Sequence, residues 1–253
     1  MVYNGRSAKE DYIKMKAGVR KINGISGSTL KIIALISMLI DHIAASLIMI
    51  QLGIHYSEPL YQTFVVMRHF IGRLAFPIYC FLLVEGFQKT GNRSKYAGRL
   101  FLFALISEVP FDLAFNRCAV YPEHQNVFFT LLAGVLVIWG MEEMERRISV
   151  LWLRWSGYVV IVAAGAFLAE AFAFDYGAKG ILPIVVLYLF RQNKVGQIAA
   201  GFVAFLWEYT ASAAFVLVAL YNGKRGMKLK YVFYAFYPVH LLILYLLSLV
   251  LFK

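Results

Sequence analysis

The sequence predicts an all-α fold: a polytopic membrane helix bundle of about nine transmembrane helices, some short or broken, with the N-terminus in the cytoplasm. Three observations predict it. Of the 253 residues, 61% are hydrophobic and 15% are charged, whereas soluble chains run at roughly 45–50% apolar and 25% charged. The apolar residues are gathered into runs on the scale of the roughly 20 residues that cross a bilayer as a helix. The Lys and Arg residues concentrate in every second connection between those runs.

The elements follow in order. Leu30 to Ile50 is the clearest span, with Lys31, Asp41 and His42 as its only ionisable residues. Leu60–Gln88, Tyr96–Phe115, Gln125–Met141 and Val150–Phe174 follow, and Tyr231–Phe252 closes the chain. Three shorter runs lie between the last two: Gly180–Phe190, Val195–Trp207 and Thr210–Tyr221. Each is short for a bilayer, which predicts tilt, extension through polar flanks, or a broken helix. Charge decides whether they cross. Residues 1–30 carry six Lys/Arg, the 52–59 connection none, 89–99 carries four, and 116–124 only Arg117. Arg146, Arg147 and Arg154 follow, then Lys179 alone, then Arg191 and Lys194, then a bare turn near Glu208, then Lys224, Arg225, Lys228 and Lys230. The alternation holds only if all three short runs cross, and the positive-inside rule then places the N-terminus inside and Lys253 outside.

This pattern accounts for the net charge of +11 without a nucleic-acid partner. Residues 1–28 read as a basic cytoplasmic N-terminal arm suited to an anionic lipid surface, and 29–253 as one transmembrane domain. The polar N-terminus is not a cleavable signal. Cys80 and Cys118 fall in no metal or redox spacing, so they are read as inert and no metal is expected.

Charge inside a bilayer costs roughly 2.5–3.5 kcal/mol per residue on insertion scales, so an ionisable residue deep in a span is a functional candidate. Asp41 and His42 are central in the first span, Arg73 in the second and His240 in the last. Counted along the helices, His42, Arg73 and His240 fall at similar depth. Glu85 lies nearer the cytoplasmic end, and Glu108 and Asp112 share one face of the third span, four residues apart. Pro77, Pro110 and Pro238 accompany them, and the backbone carbonyls that prolines free suit a water-filled cavity. Structural readings stand beside the functional ones. His240 can be an interhelical hydrogen-bonding residue, and Arg73 an ion-pair partner of Asp41 or Glu108.

The ordered motifs SGSTLKIIALISMLIDHI, RLAFPIYCFLLVEGF, RLFLFALISEVPFDLAF, QNVFFTLLAG, YNGKRG and FYAFYPVHLLIL together resemble the TraX family of conjugal-transfer and pilin-acetylation proteins, from about residue 25 to the C-terminus. The resemblance implies N-acetylation of a pilin subunit's amino terminus and a relation to the acyltransferase-3 proteins, which take acyl groups from cytoplasmic acyl-CoA. The positions that match the motifs are Asp41, His42, Arg73, Glu85, Glu108, Pro110, Asp112, Asn126 and His240.

The chemistry that this implies can be assigned residue by residue. An amine acceptor must lose a proton, and His is the usual base. His42, oriented by Asp41, is the expected catalytic base, with His240 its competitor. Arg73, Asn126 or a proline-freed helix end is expected to supply oxyanion donors. Lys224, Arg225, Lys89, Arg93 and Arg99 are expected to hold the phosphates of acetyl-CoA, and the YNGKRG turn to offer a backbone nest. Glu85, Glu108, Asp112 and Asn126 are expected to bind the substrate, Glu108 and Asp112 suiting a cationic amine. The expected partners are acyl-CoA, an amine-bearing acceptor (peptide, pilin-like protein or amino sugar) and the lipid bilayer of the bacterial inner membrane. The rival readings are a proton-coupled transporter, since buried Asp, Glu and His also build proton relays, and a non-catalytic assembly partner in a membrane complex.

Overall fold

The computed structural model of the chain describes residues 24–227 and 230–253. The predicted basic arm falls, up to residue 23, outside the described residues. Residues 24–28 belong to the folded body: Ile25 pairs with Tyr221, and the N–H groups of Gly27 and Ser28 donate to the carbonyls of Lys224 and Arg225 at 2.8 and 2.9 Å.

Nine helical segments follow one another among the described residues, one for each predicted run. They are α1 (Gly27–Ile54), α2 (Glu58–Lys89), α3 (Arg93–Asn116), α4 (Val127–Arg147), α5 (Leu151–Ala171), α6 (Gly177–Leu189), α7 (Lys194–Ala204), α8 (Thr210–Ala219) and α9 (Lys230–Leu251). Five of them (α1, α2, α4, α5 and the Tyr231–Leu251 stretch of α9) are long and apolar enough to cross a membrane. α3 is as long, at 24 residues, but carries more charge. Side chains at the starts of α1, α3, α4 and α7 fix those boundaries. Ser26, Asn92, Asn126 and Asn193 each accept a backbone N–H of the first turn, which has no partner inside the helix.

The bundle has a basic end and an opposite end. At the basic end Arg93 pairs with Glu142 (2.9 Å), Arg191 with Glu145 (2.7 Å) and Lys89 with Glu85 (2.5 Å). The first two join α3, α4 and the α6–α7 turn, and the third lies within α2. The short α6, α7 and α8 run between this end and the Leu206–Glu208 turn, where Glu208 meets Arg73 of α2. α9 packs on α3 and α1, α4 on α3, α5 and α6, and α2 on α1, α6 and α8. α5 turns Trp152, Val159, Val160 and Phe167 outward, as a helix facing lipid tails would.

The two longest helices are not regular. α1 contains a π turn at Ala44–Ile48, just past His42. α2 passes through a π turn at Val66–Ile71 and a 3-10 turn at Gly72–Leu74 before regular helix resumes at Ala75. Pro77 supplies the cause, because it has no N–H for the carbonyl of Arg73 and its ring crowds that turn. The Ser37 hydroxyl of α1 donates to the exposed carbonyls of Ile71 (2.6 Å) and Gly72 (3.1 Å). The helices touch there because residue 72 has no side chain: a methyl group at Gly72 would overlap the Asp41 carboxylate. Irregular turns of this kind recur at functional sites.

Candidate functional site

α1, α2, α3, α4 and α9 surround a cavity of about 510 Å³, which the turn before α6 also lines. Near the basic end it is lined by Lys31, Glu85, Lys89, Arg99 and Arg225, and at its far end by Asp41, His42, Asp175 and Tyr176. Between them the wall is aromatic: Phe76, Tyr79, Tyr96, Phe128, Tyr234 and Tyr237. Lys31 and His42 are eleven residues apart on α1, so the two ends are separated by about 16 Å at 1.5 Å per helical residue.

The far end holds a pair of histidines. His42 Nδ1 lies 2.7 Å from His240 Nε2, with the rings within 6° of parallel. His240 Nδ1 lies 2.7 Å from the carbonyl of Phe236, one turn back on α9. A carbonyl only accepts, so His240 Nδ1 carries the hydrogen, and in the neutral ring its Nε2 accepts. His42 Nδ1 is then the donor, and His42 Nε2 keeps a lone pair. Phe115 and Tyr237 stand edge-on to the His42 ring at 5.3 and 5.9 Å and hold its plane. Phe115 is the penultimate residue of α3 and Asp175 lies in a turn. His42 and His240 are central in α1 and α9, as counting suggested, and α3 ends at the level of the site.

Asp41 does not orient His42. Its Oδ2 accepts from Arg68 Nη1 at 3.1 Å, and its buried Oδ1, pressed against Gly72, has no hydrogen-bond partner among the described residues. Neighbouring helical residues diverge by about 100°, so Asp41 faces α2 while His42 faces α9 and α3. Arg73 pairs neither with Asp41 nor with Glu108. Its Nε lies 2.6 Å from Glu208 Oε1, a close ion pair, and its charge acts on the nearby Tyr176 phenol. Arg73 is absent from the cavity wall, which Gly72 and Tyr176 form at this level.

The expected substrate-binding residues separate. Glu85 is at the basic mouth, where it accepts from the Tyr221 hydroxyl (2.9 Å) beside Lys89. Asn126 caps α4 and donates to the Ala104 carbonyl (2.8 Å) and to Glu108, whose other oxygen is buried without a partner. Asp112 is buried and accepts the Tyr121 N–H at 2.7 Å, which anchors the α3–α4 connection. Neither Glu108 nor Asp112 lines the cavity.

Of the five cations expected at the phosphates, Lys89, Arg99 and Arg225 line the mouth. Arg93 is held away from it by two hydrogen bonds to Glu142 (3.0 and 2.9 Å) and by the ring of Phe87. The Lys224 side chain is exposed and outside the wall. The turn offers little as a nest, because the amides of Asn222, Lys224 and Met227 already donate to Ile25, Asn222 and Ser28. Lys31, named from the sequence only as an ionisable residue of the first run, joins the mouth over the ring of Phe233. Arg68 and Glu208 were given no role in the site, and Asp175 and Tyr176 were not singled out. The only available signal was their polarity within or beside apolar runs. Among the described residues no His, Cys, Asp and Glu cluster fits a metal ion.

Two connections meet at the far end. Gln125 bridges to Phe174, with N–H···O bonds of 2.8 and 3.0 Å, and His124 Nε2 lies 3.2 Å from Asp175 Oδ1. The hydrogen bond to Asp175 chiefly raises the His124 pKa. Desolvation opposes the rise, and the charges of Asp175, Glu108 and Asp112 add to it. A raised His pKa means that this contact stabilises the fold fully below the unfolded value near 6.5 and is lost as pH rises through the higher folded value. Hydrogen exchange at 117–126 and 172–176 is therefore expected to be slow at pH 6 and to quicken toward pH 9. Equal protection at both would refute a charged latch.

The family described as "TraX protein" matches residues 26–248 of the chain. A relative from Dichelobacter nodosus, "Probable fimbrial assembly protein FimC, serogroup H1", is 30% identical over 252 residues, covering 87% of this chain and 94% of its own length. No solved structure matches.

Proposed function

The chain belongs to the TraX family, a multi-pass helical membrane protein, and from this premise we propose that it is an inner-membrane acetyltransferase. It would move an acetyl group from acetyl-CoA to an amine, with a fimbrial or pilin-like subunit the acceptor that the relative's name favours. One observation carries the reading. A single cavity joins a cationic mouth at the basic end to the free nitrogen of His42 at the other. Cations suit the CoA phosphates, and an aromatic wall suits a long, mostly uncharged pantetheine arm. A histidine that keeps a lone pair is the base that an amine needs.

In this reading His42 Nε2 takes the proton of a neutral amine as its nitrogen attacks the thioester carbon. The tetrahedral intermediate collapses, the C–S bond breaks, and the departing thiolate takes the proton from His42. His240 holds His42 in the required tautomer. The rival readings make different predictions at the mouth. Replacing Lys31, Lys89 and Arg225 together by Ala is expected to raise the acetyl-CoA KM at least tenfold while kcat falls less than threefold. The measurement is initial-rate kinetics on purified protein with a free-amine peptide. Purified protein that neither binds nor turns over acetyl-CoA would favour a transporter or a non-catalytic assembly partner.

A further inference from the structure

Arg73 was one of the expected oxyanion donors, yet it is absent from the cavity wall. The residue in front of it is Tyr176. Resting on the acetyltransferase reading, we propose that the Tyr176 hydroxyl is the oxyanion donor of this site, and that Arg73 is a positioning residue acting through it.

Tyr176 lines the cavity together with Asp41 and His42. Its ring lies flat on Phe76, with centroids 3.6 Å apart and planes within 5°. Its backbone N–H reaches Thr130 Oγ1 at 3.4 Å, which ties the turn to α4. The ring is thus fixed on one face and at its root before any ligand arrives, and a preorganised donor costs no reorganisation during reaction.

The role of the phenol hydrogen follows from its neighbour. The Arg73 charge acts on the Tyr176 phenol, and a guanidinium, which has donors only, cannot take the phenol's hydrogen. The phenol's own hydrogen is then left to donate, and no acceptor for it is found among the described residues. Arg73 is itself braced by Glu208 at 2.6 Å. The series Glu208, Arg73, Tyr176 therefore ends in an O–H group polarised by a cation at the cavity wall. When an amine attacks a thioester, the carbonyl π electrons move onto oxygen. The Tyr176 O–H hydrogen-bonds that oxygen without giving up its proton, while His42 takes the amine proton.

Tyr176→Phe removes only the hydroxyl and keeps the stacked ring. Acetyl transfer to a free-amine peptide, CoA binding and thermal unfolding would be measured on the full chain in lipid nanodiscs. A kcat reduced by about 10²–10³-fold, the usual cost of losing one oxyanion donor, with CoA affinity within threefold of wild type, is the expected result. The pair Arg73→Gln with Glu208→Gln, which removes the cation without stranding a carboxylate, should lose part of kcat at unchanged CoA affinity. Arg73→Lys, which can still donate and still pair, should recover most of it. A Tyr176→Phe kcat within threefold of wild type would overturn the assignment. So would a CoA affinity that falls in step with kcat, since the hydroxyl would then serve ground-state binding. A wild-type chain that binds CoA and transfers nothing would remove the acetyltransferase reading, and this inference with it.

Discussion

Replacing His42 with Ala is expected to lower acetyl transfer by at least the roughly 10²–10⁴-fold that a positioned base contributes, and to leave CoA binding nearly intact. The two effects separate because the phosphates and the base occupy opposite ends of the cavity, about 16 Å apart along α1. His240→Ala should be severe but less complete. It frees the His42 ring to adopt either tautomer, and only one presents a lone pair at Nε2. His240→Gln, whose amide oxygen can accept from His42 Nδ1, should retain more activity than His240→Ala. The measurement is single-turnover transfer from radiolabelled acetyl-CoA, with CoA titration as the control. A dead His240→Ala beside a near-normal His42→Ala would reverse the assignment and make His240 the base.

Asp41→Ala is expected to cost the fold rather than the chemistry alone. Asp41 and Arg68 form a partly buried pair, and removing one partner leaves the other charge uncompensated, at a cost approaching the roughly 3–5 kcal/mol of a fully buried pair. Asp41→Ala should therefore melt far below wild type in detergent, as should Arg68→Ala. The neutral double replacement, Asp41→Asn with Arg68→Gln, should recover much of the loss, since neither buried group then carries a charge. This differs from the expectation that Asp41 orients His42, under which Asp41→Asn would fold normally and lose turnover. An Asp41→Ala protein with the wild-type melting temperature and no activity would restore the catalytic role.

Much of this was legible in the chain, for reasons that are local. A run of about 20 apolar residues crosses a bilayer whatever its neighbours. The alternating Lys and Arg connections marked α6, α7 and α8 off as separate helices although each is short. The penalty on buried charge marked Asp41, His42, Arg73 and His240 before any partner was known. The ordered motifs brought the family into view, and the match over residues 26–248 establishes it.

Pairing was not legible, because it depends on which helix faces which. Asp41 and His42 are neighbours in sequence, but the helix turns them onto different partners, Arg68 and His240. Arg73 met Glu208, on a turn between two short helices that periodicity does not place. Asn126 and Asp112 went to a helix cap and a loop anchor, since a polar side chain beside an unpaired N–H satisfies the backbone first. Tyr176 reached the cavity only because its turn folds under α2 and stacks on Phe76. The sequence by itself determined how many helices there are, which residues could not sit in lipid unpartnered, and the family. The tertiary structure decided their partners and the shape of the cavity, because hydrogen bonds and ion pairs act over about 3 Å, and only packing brings residues such as 42 and 240 that close.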